Sequence, residues 1–211
     1  MLEDLTIRGF IKELSSKAPT PGGGAVASLS ASLSAALNCM VFNLTIGKKI
    51  YENYDEEVKQ AIDTCLKESD RLKEYFLLGI DKDAEAFAKI IESYKLPKNT
   101  EKEKEYRHEM IQKASKFAAK VPENIAENSC KLFELIWISV KYGNKNVLTD
   151  AGAAAIMAAS AIEMSILNIK INLNSIDDKD FRNKLEKNCS ELSKSSDKWK
   201  RKILDEVFLN I

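Results

Sequence analysis

Residues 19–47 read PTPGGGAVASLSASLSAALNCMVFNLTIG, and this stretch decides the fold. Pro19 and Pro21 fix their own φ and push Ala18 and Thr20 away from helical geometry, while Gly22, Gly23 and Gly24 permit backbone that side chains would crowd. A helix starts after the glycines and runs to about Gly47. From Ala25 to Ile46 it carries no Asp, Glu, Lys or Arg. That length would span a bilayer, which takes about 20 residues. Ser28, Ser30, Ser32, Ser34, Asn38, Asn43 and Thr45 argue instead for a helix buried in protein, where Ala and Ser let neighbouring backbones come close.

The same periodicity extends on both sides. Residues 3–16 form a short helix through Leu5, Phe10, Ile11 and Leu14. Val58, Ile62, Cys65, Ser69, Leu72, Phe76 and Gly79 recur at spacings of four and three, and Asp83, Phe87 and Ile90 continue that series. Asp83 is thus an acid on an apolar stripe, unless a bend at Gly79 turns it away. Thr100 and Glu103 make a capping box. The helix that follows is amphipathic from Ile111 to Val140, and Pro122 either kinks or splits it. After a loop at 142–146, a second small-residue helix runs from about Asp150 to Ile169. Ser175 and Asp178 mark the cap of a last helix that ends near Phe208. No strand pattern or internal repeat appears. The expected fold is all-α, a single-domain bundle of six to eight helices over residues 1–211, with the two small-residue helices packed closely.

Composition narrows the function. The 211 residues carry 32 Lys+Arg and 32 Asp+Glu, a formal net charge of +0, which argues against nucleic acid as a partner. Cys39, Cys65, Cys130 and Cys189 form no CxxC pair, and buried free thiols in a reducing compartment are expected, hence a cytoplasmic location. The start, MLEDLTIRGF, lacks the basic-then-apolar order of a secretory signal. A membrane is not an expected partner. His108 is the sole histidine and lies in a solvated charge run. This removes two-histidine metal sites and weakens any histidine triad; a Glu-x-x-His repeat is also missing, so no metal is expected.

Two polar clusters precede the small-residue helices. PTPGGG lacks the GxxxxGK[ST] pattern of a phosphate loop, but it leaves free N–H groups at a helix start, where a carbonyl or anion can dock. A tight turn between packed helices would also explain it. Asn144, Lys145, Asn146 and Asp150 form the second cluster, where Asp150 could equally be a helix cap. The two loops are expected to meet around one pocket. Lys48 and Lys49 would suit a carboxylated ligand there, or simply complement a helix C-terminus.

The chain resembles the cyclodeaminase/cyclohydrolase family, the folate-processing domain found in bifunctional formiminotransferase-cyclodeaminases and also alone. The resemblance rests on PTPGGGAVASLSA at 19–31, NLTIGKK at 43–49, DKDAEAF at 81–87, YKLP at 94–97, VPENIAE at 121–127, GNKNVLTDAGAAA at 143–155 and NIKINL at 168–173. It runs in order along essentially the whole chain. Ala25, Lys145, Thr149 and Glu163 depart from the usual pattern, and Glu163 could line a pocket or disturb one.

The resemblance implies a homodimer with a folate derivative as substrate, sites near the subunit interface, and no cofactor beyond that substrate. It places Gly22, Gly23, Gly24 and Asn43 at the pterin or one-carbon end, and offers Asp83 and Asp150 as catalytic acids, Asp83 first. Asn144 and Asn146 join the binding set. Lys48, Lys49, Lys145 and Lys170 are candidates for the rim around the substrate's anionic glutamate tail. The leading expectation is a methenyltetrahydrofolate cyclohydrolase. Its alternatives are a formiminotetrahydrofolate cyclodeaminase and a helical folate-binding or scaffold protein without catalysis.

Overall fold

Serine spacing organises the bundle. In the computed structural model, which describes residues 1–211, α2 (Gly23–Asn43) lies between α4 (Glu56–Lys95) and α6 (Leu148–Leu173). Ser28 and Ser32, one turn apart, donate to the carbonyls of Phe76 at 2.6 Å and Lys73 at 3.1 Å on α4. Ser30 and Ser34 occupy the next face and donate to the carbonyls of Met157 at 3.0 Å and Ala154 at 2.7 Å on α6. Each of these buried hydroxyls therefore has a partner, which removes the cost of leaving a polar group unpaired in the interior. Both contact series run in opposite chain directions, so α2 is antiparallel to α4 and to α6.

Gly79 has a packing role. Ser28 occupies the space a Cβ there would need, and α4 continues through it as one helix. Asp83 is not turned away: its carboxylate lies against Gly24 of α2. The long α5 (Glu101–Tyr142) packs on α4 and α6, and α7 (Lys179–Leu209) packs across α5 and α6. Leu72, Phe76, Phe133, Ile136 and Ile162 are among the fully buried side chains of the central core.

The caps follow the sequence. Asp55 accepts from the Val58 N–H, Thr100 and Glu103 complete their capping box, and Asp178 accepts from the Phe181 N–H. Two details differ from expectation. The first segment is a 3₁₀ turn (Leu2–Asp4) followed by α1 (Ile7–Leu14), because Thr6 caps a fresh helix at the Gly9 N–H. The other is Asp150, which does not cap the second small-residue helix. Of the two outcomes expected for Pro122, splitting does not occur, and α5 runs through it as one helix. A short α3 (Lys49–Glu52) completes seven α-helices, and no strand is present. Gly47, with φ of 73°, makes the left-handed turn between α2 and α3. All four cysteines are free. By length and composition, Gly23–Asn43 and Lys145–Leu173 are apolar enough to cross a membrane; in the bundle they are its two most central small-residue segments, with 67% and 50% of their apolar windows buried.

Candidate functional site

A helix whose N-cap is glycine has no side chain to satisfy its first N–H groups. Gly22 is that residue in α2, and the carboxylate set against this N-terminus comes from another helix. Asp83 of α4 directs its carboxylate at this N-terminus, within hydrogen-bonding reach of the Ala25 N–H. Gly24 makes the approach possible, since a Cβ there would fall inside the carboxylate. Burial pushes the Asp83 carboxyl above the usual aspartate range, and the Ala25 N–H partly opposes that rise. Asp81, two residues earlier, turns elsewhere and accepts from the Leu2 N–H at 2.7 Å.

Asp83 and the three glycines line a cavity of about 470 Å³. Phe87 and Ile90 of α4 and Ile171 of α6 give it apolar walls. Asn168 and Asn172 of α6 add amides, and no Lys or Arg lines it. Sequence alone singles out Lys170 of the NIKINL block and misses both asparagines, although two Asn four residues apart necessarily share one helix face. Lys170 lies round the other side of α6 in a separate groove of about 650 Å³, with Arg182 and Lys194 of α7; Asn174 borders both spaces.

The second predicted cluster lies elsewhere. Asn144 donates from its backbone to Thr45 Oγ1 at 2.8 Å and from its side chain to the Leu44 carbonyl at 3.0 Å, which ties it to the far end of α2. Gly23 and Asn43 are separated by about 30 Å at 1.5 Å per residue. Asn43, Lys48, Lys49, Lys145 and Asn146 are exposed around that far end. Asp150 joins them in the first turn of α6, about 27 Å along the helix from Asn168. Within one chain, then, the two loops do not meet around one pocket: antiparallel packing puts them at opposite ends of the same helix pair. Nor does Asp150 cap α6. The N-cap position is Val147, without a side-chain bond, while Asn144 caps the preceding 3₁₀ turn (Lys145–Val147).

The remaining candidates resolve simply. Glu163 is exposed and pairs with Lys200 at 3.4 Å, away from the cavity. His108 sits on the surface beside Asp177. No group of three or more His, Cys, Asp or Glu side chains converges as a metal site would require.

Comparison with known proteins adds a second line. Residues 6–191 match the formiminotransferase-cyclodeaminase family. The chain is 40% identical over 176 residues to a methenyltetrahydrofolate cyclohydrolase of Methylorubrum extorquens, covering 83% of each chain. It is 32% identical over 191 residues to the formimidoyltransferase-cyclodeaminase of Mus musculus, covering 90% of this chain and 35% of that one. The chain thus spans about a third of the length of the bifunctional relatives. Further animal relatives share that name. A crystal structure of formiminotetrahydrofolate cyclodeaminase from Thermotoga maritima superposes with a TM-score of 0.85 at 28% identity, over 98% of both chains. Most of these curated relatives carry the cyclodeaminase name, as does the solved structure, so the cyclohydrolase reaction, the leading expectation from sequence, gives way to its alternative.

Proposed function

Since this chain belongs to the formiminotransferase-cyclodeaminase family, we propose that it is a one-carbon folate enzyme catalysing the cyclodeaminase reaction, with Asp83 as its proton-transfer residue. The observation that carries this reading is a carboxylate with a raised pKa, held on the bare N-terminus of α2, in an apolar-walled cavity.

The chemistry needs such a group. In 5-formiminotetrahydrofolate, N10 attacks the amidinium carbon on N5, and the C–N10 bond forms. The tetrahedral carbon then holds N5, a protonated N10 and an amino group. Asp83 takes the N10 proton and delivers it to the amino group. The C–N bond to that nitrogen breaks, leaving ammonia and the 5,10-methenyl cation. Charge is conserved, since one cation enters and one leaves. A carboxylate facing this centre also balances the positive bridge, and its raised pKa makes it a better proton acceptor than an ordinary aspartate. Holding N10 beside the carbon supplies further rate by proximity.

We assign the far-end cluster to a neighbouring subunit's site. Leu33, Met40 and Leu44 form an exposed stripe on α2, and Ile156, Leu167 and Ile171 form another on the adjacent α6. Two copies packed on this face about a two-fold axis across the helices would set one copy's Gly22–Gly24 end against the other's Asn43, Lys48, Lys49, Asn144, Lys145, Asn146 and Asp150. The glutamate tail of the substrate would meet these lysines or Lys170.

Absorbance of the methenyl chromophore tests the activity. Its appearance from 5-formiminotetrahydrofolate with equimolar ammonia supports the reading, and a rate no faster than buffer refutes it.

A further inference from the structure

Proline inside a helix leaves one carbonyl without its partner, four residues back. For Pro122 that carbonyl belongs to Ala118, which borders the cavity. It is not left orphaned: the Asn172 side chain reaches across from α6 and donates to it at 3.0 Å. The same Nδ2 group also donates to the Asn168 carbonyl at 2.9 Å, so both of its hydrogens are committed. Asn168, one turn earlier, commits its own Nδ2 to the Met164 carbonyl at 2.8 Å and packs against Gly23, where a Cβ would come within 3.2 Å of it. These bonds fix which way each amide faces. Neither side-chain oxygen accepts a bond within the chain, and neither is sealed from solvent, although both residues line the cavity.

We infer that Asn168 and Asn172 form an acceptor pair that binds the 2-amino group and adjacent ring N–H of the substrate's pyrimidine, and that Pro122 is the positioning residue that frees a carbonyl to orient Asn172. The assignment rests on the folate reading above and specifies which edge of the ring the cavity takes. Three features agree with it. The Asn168 and Asn172 side chains turn their oxygens free of any bond within the chain, the cavity has no Lys or Arg lining it, and Phe87, Ile90 and Ile171 offer apolar surface to a flat ring. A ligand edge made of acceptors would find no free donor on Asn172, whose two N–H groups are both used within the chain.

The probes are 5-formyltetrahydrofolate, which carries no departing amine, and its 2-desamino analogue. Wild-type protein should bind the amino compound more tightly, by roughly 3–10-fold for each lost neutral hydrogen bond. Asn168→Leu and Asn172→Leu should lose that discrimination. Pro122→Ala restores an N–H that recaptures the Ala118 carbonyl. It should hold or raise the melting temperature while weakening 5-formyltetrahydrofolate binding and raising KM more than it lowers kcat. A purely structural proline would leave affinity and KM unmoved. If wild type binds the amino compound but folded variants of all three residues keep its affinity and discrimination, the assignment is overturned and the folate reading stands. If wild type binds neither compound and releases no ammonia from 5-formiminotetrahydrofolate, both are overturned.

Discussion

The Asp83 carboxylate lies so close to the Gly24 backbone that no side chain can stand at position 24 unless the carboxylate moves. The acid and the glycine are therefore one device built from two helices: α4 supplies the charge, and α2 supplies bare backbone and unshared N–H groups. Gly24→Ala should displace Asp83, costing about 1–3 kcal/mol of stability by overpacking and lowering kcat. Gly22→Ala is the control, since the nearest atom to its added Cβ is the Pro19 carbonyl oxygen at 3.9 Å. Chemical denaturation of both variants checks this, and equal stability would contradict it.

Asp83→Asn keeps an oxygen for the Ala25 N–H but cannot carry a proton between N10 and the amine. The expected loss in kcat is about 10²–10⁴-fold, with affinity for 5-formyltetrahydrofolate little changed. A variant with wild-type turnover would remove Asp83 from the chemistry.

The same substitution has a signature in stability. A carboxyl raised in the folded state holds its proton more tightly there than when unfolded. Its contribution is full below the ordinary aspartate range and is lost as pH rises through the folded pKa. At neutral pH the buried charge therefore works against folding. Asp83→Asn should match wild type at about pH 3, below the usual aspartate pKa, and melt at a higher temperature than wild type at neutral pH. A gain that shrinks with rising pH would have the wrong sign.

Mixed dimers test the shared site. Asp83→Asn alters one half of the proposed site and Asp150→Asn the other, so a dimer with one copy of each has one intact site and one doubly altered. If each variant is inactive alone, subunit exchange should restore about a quarter of wild-type activity. No recovery after exchange would place both halves within one chain or exclude Asp150.

The apolar stripes of α2 and α6 predict the assembly. Leu33→Glu combined with Leu167→Glu, at positions 46% and 67% exposed, should leave the fold intact by circular dichroism yet yield a monomer by sedimentation. Activity should fall with the dimer. A double variant that stays dimeric would move the interface elsewhere.

Helices, caps and the burial of α2 were legible because they depend on neighbours three or four residues apart: Thr100 with Glu103, Ser28 with Ser32, Asp83 on the stripe of Phe76 and Phe87. The sequence could also mark Gly22–Gly24 as backbone laid bare. It could not say that Asp83 fills that opening, because the two sites are joined only when α2 and α4 pack antiparallel. The same packing placed Asn144 and Asp150 some 30 Å from the glycines, by the length of α2, where composition had drawn them together. Asn172 was hidden for a related reason, since its bond to the Ala118 carbonyl depends on Pro122 of a different helix. Periodicity along one chain fixes which faces are apolar; which ends of those helices meet is settled by their directions in the packed bundle.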